Sequence, residues 1–152
     1  MTLEQRWEKM APPERQYCCR TEKLPLRFII EHWGEMTGTQ KRYCIMFQQL
    51  SLEFIERVWT SLSKAQRKQC CRHQQLSVTF IEERWDRMDL QQKRYCLTKQ
   101  KYIDEFTLGE LPELLTSPEP NIRKVAARSV KKRMRRTRSQ GVLVHQKARA
   151  VR

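Results

Sequence analysis

Six cysteines, three histidines and a dense run of arginine and lysine are the side chains here that have chemistry to offer. Cys18, Cys44, Cys70 and Cys96 stand 26 residues apart, and Cys19 and Cys71 directly follow the first and third of them. Zinc needs donors converging to ~2.3 Å from one point, usually from cysteines a few residues apart. One cysteine per 26 residues instead falls on successive helices, whose axes pack ~10 Å apart. Adjacent cysteines on a helix point ~100° away from each other. The six therefore read as small buried apolar side chains, and no metal ligand is expected. Redox sensing at Cys19 or Cys71 is the alternative, because neighbouring Arg20 and Arg72 would favour thiolates. His32, His73 and His145 fall in no recurring setting and read as lone surface histidines. No Gly-rich phosphate loop, nucleophile elbow or paired-carboxylate motif accompanies them. The expectation is a non-enzyme, with no catalytic residue, cofactor or small-molecule substrate.

The cations carry more. The formal net charge is +14, and it is unevenly placed. Residues 1–110 hold 19 Lys and Arg against 15 Asp and Glu, whereas residues 111–152 hold 12 against 2. Lys131, Lys132, Arg133, Arg135, Arg136 and Arg138 crowd one short stretch with no acid beyond Glu119. Like charges at that density oppose a lone helix and favour ordering on a polyanion, most often nucleic acid. A second basic feature recurs upstream: Lys41-Arg42, Arg67-Lys68 and Lys93-Arg94, with Arg15 in the same register. Stacked units would line these pairs into a ladder. A merely solvated helix face is the competing reading for the ladder, and nuclear targeting or solubility for the C-terminal run.

The elements that must position these side chains are repeats. Trp7, Trp33, Trp59 and Trp85 keep the same 26-residue step as the cysteines, as do Phe28, Phe54, Phe80 and Phe106. So do Met10, Met36, Leu62 and Met88, and Leu24, Leu50 and Leu76. A fixed period of this length means a stacked supersecondary unit. Each unit reads as two short helices. In the third, Leu50, Phe54, Ile55, Val58, Trp59 and Leu62 mark one face at helical spacing, with Ser51 as N-cap. Ala11, Thr37, Ser63 and Asp89 begin the second helices, and Glu14, Gln40, Gln66 and Gln92 three residues later complete capping boxes. Tyr17, Cys18, Thr21 and Leu24, and likewise Tyr43, Cys44, Phe47 and Leu50, are expected to face inward. The tryptophans could be stacking platforms for bases, but a large aromatic at a fixed inward register is first of all core. Units one and three share Cys-Cys-Arg and units two and four share Gln-Lys-Arg-Tyr-Cys, so a 52-residue pair looks duplicated.

Gln75-Leu76-Ser77-Val78-Thr79-Phe80-Ile81-Glu82-Glu83-Arg84-Trp85-Asp86 resembles the Gln-x-Leu-Ser-x-x-Phe-Ile-Glu-x-x-Trp short helical repeats of phage and large-virus proteins. That resemblance covers the repeat region and implies a viral origin without a catalytic role. Glu110 to Arg128, with its leucine pair, Pro-rich turn and Ile122-Arg123-Lys124-Val125-Ala126-Ala127, resembles a single HEAT-type unit, which would cap the array.

The fold expected is all-α, a short α-solenoid of tandem helix pairs with a basic C-terminal helix and tail. Four units occupy residues 1–105, the HEAT-like unit with its basic helix 106–140, and a flexible basic tail 141–152. No apolar run approaches the ~20 residues of a membrane helix, and the first residues lack a secretory h-region. A cytoplasmic setting with reduced thiols is expected. The partner expected is nucleic acid, RNA or DNA. The alternative is a protein-interaction adaptor or inhibitor acting on a host complex, or a virion-associated structural protein.

Overall fold

A computed structural model describes residues 1–100 and, beyond them, Pro120, Arg123, Lys124, Ala126, Ala127, Arg128, Lys131, Arg135 and Arg138. The HEAT-like turn, the 141–152 tail and His145 lie outside the described residues. The described residues are all-helical, with no strand among them. Helices α1 (Leu3–Lys9), α3 (Leu26–His32), α5 (Leu52–Val58) and α7 (Val78–Arg84) alternate with α2 (Pro12–Thr21), α4 (Gly38–Phe47), α6 (Lys64–His73) and α8 (Leu90–Lys99). A 3-10 turn follows α5 at Trp59–Ser61 and α7 at Trp85–Arg87. The even helices start every 26 residues, at 12, 38, 64 and 90. Among the odd ones, α1 sits later in register, because Thr2 caps it and closes a capping box with Gln5.

Helices of seven to ten residues are marginal alone, so their ends and their burial decide whether they form. Thr37, Ser63 and Asp89 each accept the N–H of the glutamine three residues on, and that glutamine takes the cap N–H in return. Ala11 has no side-chain acceptor, so α2 keeps half of the arrangement: Glu14 takes the Ala11 N–H at 2.7 Å, and Pro12 occupies the first helical position. Ser51 and Ser77 cap α5 and α7, while Pro25 stands at the corresponding place before α3.

The C-termini end differently from the common pattern. No described residue has a positive φ, so none of these helices stops on a left-handed glycine. Their last carbonyls are taken by glutamines of the next unit. Gln48 Nε2 donates to the carbonyls of Cys19 and Glu22, and Gln48 Oε1 accepts the Leu24 N–H. Gln74 does the same for Ile45, Gln48 and Leu50, and Gln100 for Cys71, Gln74 and Leu76. All three glutamines are buried. The position 26 residues before Gln48 is Glu22, which instead pairs with Arg6. The result is a spine of buried amides, each tying one unit's second helix to the next.

The even helices pack in sequence, α2 on α4, α4 on α6 and α6 on α8. Across the units, Trp7 meets Phe28, Trp33 meets Phe54 and Trp59 meets Phe80 edge to face, with centroids 4.9–5.2 Å apart. All four tryptophans are buried, which gives them to the core and not to base stacking. The inward stripe of the second helices is rotated from the expectation. Cys18 and Cys19, and Cys44 and Ile45, are the buried pairs, while Tyr17 and Phe47 are 68% and 49% exposed. Close packing of neighbouring second helices favours the small cysteine and its β-branched substitute there, and the aromatics turn outward.

Candidate nucleic-acid interface

Each predicted basic pair divides between two jobs. The first member leans back onto the tryptophan of its own unit: Arg15 over Trp7, Lys41 over Trp33, Arg67 over Trp59 and Lys93 over Trp85, at 5.2–5.7 Å from the ring centroid. Arg15 Nε donates to the Trp7 carbonyl at 3.0 Å, and Arg67 donates to those of Trp59 and Thr60. These cations close the C-terminal end of the preceding helix, where its dipole favours positive charge and the ring face adds to it.

The second member lies outside the core, exposed at Arg42 and half-buried at Lys68 and Arg94. Arg42 is exposed, and its guanidinium lies 5.8 Å from the Tyr43 ring; Arg94 is half-buried at 5.6 Å from Tyr95. Lys68 reaches across from α6 to α8 and donates to Gln91 at 3.1 Å. One turn further along the same faces stand Arg20 and Arg72, both exposed, and Arg72 lies 5.4 Å from Tyr95 of the neighbouring helix. Sequence reasoning treated these two only as neighbours of cysteines. Their signal was the spacing, four residues after Gln16 and Lys68, which puts them on the solvent side with the pair's second member.

Charge is sorted between the two sets of helices. No acidic residue occurs in α4, α6 or α8, whereas α1, α3, α5 and α7 each hold at least one glutamate. Glu14, the one acid of α2, is already engaged at a helix start. Of the C-terminal basic run, Lys131, Arg135 and Arg138 are helical and exposed, and their spacing puts them on one side of a helix. Ala126, five residues before Lys131, is fully buried. Lys132, Arg133 and Arg136 lie outside the described residues.

The thiols are placed to be inert. All six are free and buried. Burial pushes Cys18 up to about 11 and raises Cys70, while Cys44 and Cys96 are raised chiefly by the thiols of Cys19 and Cys71 beside them. Cys19 and Cys71 thus meet the next unit's cysteine, a pairing invisible to a count of one per unit. Cys19 is lowered, and the cause is the Cys44 thiol, not Arg20. Met36 and Met88 sulfurs lie 3.9 Å from Cys44 and Cys96. Among the described residues no cluster of His, Cys, Asp and Glu is arranged to hold a metal. We expect a thiol reagent at neutral pH to modify none of the six in the native chain and all six in concentrated guanidinium. The raised Cys18 value has a stability consequence. Its contribution is full below 9.0, the ordinary thiol value, and is lost as pH rises toward about 11, because only the unfolded chain ionises there. Melting temperature should fall over that window.

His32 is not a surface histidine. It is half-buried against Phe28 and Trp7, with centroids 4.3 and 6.0 Å away, and its Nδ1 lies 3.6 Å from Glu35. His73 is exposed, and partial burial with Arg72 and Lys99 nearby lowers its pKa. Among the described residues no helix is long and apolar enough to cross a membrane. No family model, no curated protein and no solved structure matches this chain.

Proposed function

We propose that this chain is a non-enzymatic nucleic-acid-binding protein, a short α-solenoid whose second helices present a basic face and whose C-terminal basic segment extends it. The observation that carries the reading is the absence of any acid from α4, α6 and α8 beside the recurrence of Arg42, Lys68 and Arg94 at one register of these helices, outside the core. Cations repeated at a helix-to-helix spacing of ~9 Å suit a phosphate backbone, which is itself a regular line of charge. Lys131, Lys132, Arg133, Arg135, Arg136 and Arg138 would add phosphate contacts. The likeness of the units to phage and large-virus repeats favours a viral protein working in a host cytoplasm.

The test compares the full chain with a version ending at residue 130, in a gel-shift titration, after a high-salt wash of the purified protein. We expect the wash to release co-purified nucleic acid, seen in the absorbance ratio. The truncated chain should bind at least about tenfold more weakly, since each lost phosphate contact lowers affinity severalfold at physiological salt. Unchanged binding after truncation would remove the C-terminal segment from the proposal. A protein that binds no nucleic acid and instead retains one host polypeptide would replace the proposal with the adaptor reading.

A further inference from the structure

Resting on the nucleic-acid reading above, we infer that the strand taken by the second-helix face is single, with bases stacked on Tyr17 and Phe47 and on the guanidinium planes of Arg42 and Arg94. Three observations carry this. The first is the pair of outward aromatics. Tyr17 and Phe47 are 68% and 49% exposed; Tyr17 stands three residues before the exposed Arg20 on α2, and the Phe47 ring lies 6.1 Å from that of Tyr43, the residue in Tyr17's register on α4. The position held by Phe47 is Thr21, His73 and Lys99 in the other units, so the repeat's packing does not require an aromatic there. An exposed phenylalanine among cations costs solubility without adding to the core.

The second observation is shape. Phe47 borders an open groove of about 670 Å³ between the C-terminal ends of α2 and α4, along with Arg20, Lys23, Gln49 and Glu22, whose carboxylate is paired with Arg6. A base lying on the Phe47 ring would there have cations on one side and polar groups on the other. The third is what the face lacks. The major groove of a duplex is ~12 Å wide and takes one helix or a ribbon. Here α2 packs on α4, α4 on α6 and α6 on α8, so the face they form has no second helix standing clear of its neighbours to enter such a groove. Such a surface would touch a duplex only at its phosphates, leaving Tyr17 and Phe47 without a role. A single strand turns its bases toward the protein, and aromatic rings interleaved with cations are the means by which unpaired strands are held without sequence preference. The guanidiniums of Arg42 and Arg94 lie 5.8 and 5.6 Å from the ring centroids of Tyr43 and Tyr95, and arginine planes so placed beside aromatics offer further surfaces for stacking.

Fluorescence anisotropy on the full chain tests this with an oligouridylate, an oligothymidylate of the same length and a mixed-sequence duplex of that length, at physiological salt. We expect both single strands to bind at least about tenfold tighter than the duplex. Combining Tyr17→Ala with Phe47→Ala should weaken single-strand binding by about 30-fold or more and leave duplex binding and the melting temperature unchanged. Tyr17→Leu with Phe47→Leu, which keeps apolar bulk and removes the ring, should give the same loss. Either order of the uridylate and the thymidylate upholds the inference and shows whether the ribose hydroxyl is read. A duplex bound as tightly as the single strands, or wild-type affinity in both double variants, overturns the single-strand inference and leaves the nucleic-acid reading standing. Failure of all three probes to bind sinks both.

Discussion

Gln74→Ala lowers the unfolding free energy by about 3 kcal/mol or more, while Gln75→Ala, next to it and exposed, changes it by less than about 0.5 kcal/mol. Gln74 is buried and uses its whole amide: Oε1 accepts from Leu50 N–H at 3.0 Å, and Nε2 donates to the Ile45 and Gln48 carbonyls at 2.6 and 2.7 Å. Truncation strands three backbone groups at once. Each buried group left unpaired costs about 1–3 kcal/mol, far more than the net gain of an ordinary hydrogen bond. The loss falls at the junction of two units, so it removes cooperation between them as well as local stability. Gln74→Glu is the sharper variant, because it preserves shape but replaces a donor to two carbonyls with an acceptor. It should destabilise at least as much at neutral pH and recover partly in acid, where the protonated carboxyl donates again. Urea unfolding followed by circular dichroism measures all three variants. A Gln74→Ala loss below about 1 kcal/mol would mean that the spine is incidental to stability.

The second large effect is on binding. Arg42→Gln, Lys68→Gln and Arg94→Gln combined should weaken nucleic-acid binding by about 50- to 100-fold at physiological salt, given slopes of about −0.7 to −0.9 per phosphate contact. Arg42 is exposed and Lys68 and Arg94 half-buried, none of them in the core, and glutamine keeps helix propensity, so the melting temperature should change little. The parallel set on the other half of the ladder behaves in the opposite way. Lys41→Gln, Arg67→Gln and Lys93→Gln remove cations that sit on tryptophan rings and, for Arg67, cap a helix end. That set should lower stability more than affinity. The contrast separates a binding face from a structural one within adjacent residues of the same pairs.

Much of this was legible before any coordinates, because packing writes itself as residue type at a fixed step. Among the described residues the Trp, Phe and Leu registers are buried, as is the Met register apart from the half-buried Met10, and Thr37, Ser63 and Asp89 cap their helices as their sequence context requires. What escaped has physical reasons. Gln48, Gln74 and Gln100 keep the 26-residue step, but a polar residue just after a helix looks like a loop residue until its partner across the unit boundary is known. Glu22 was the clue, since it breaks the glutamine register and pairs with Arg6 instead. Helical periodicity alone could not fix the rotation of the second helices. Tyr and Phe seemed to belong inside, yet Cys19, Ile45, Cys71 and Leu97 fill that place, and only the contact between neighbouring helices decides it. The basic pairs were visible as a register, but which member turns toward a tryptophan depends on the preceding helix, not on the pair.

The central claim is that the basic face of the second helices, acid-free in α4, α6 and α8, binds a phosphate backbone. The salt dependence of affinity measures it most directly, for the full chain and for the Arg42→Gln, Lys68→Gln, Arg94→Gln variant on one labelled oligonucleotide. The account predicts a steep negative slope of log affinity against log salt, shallower in the variant by about two to three. A full chain that does not bind, or a variant with the same slope and the same affinity, would contradict it.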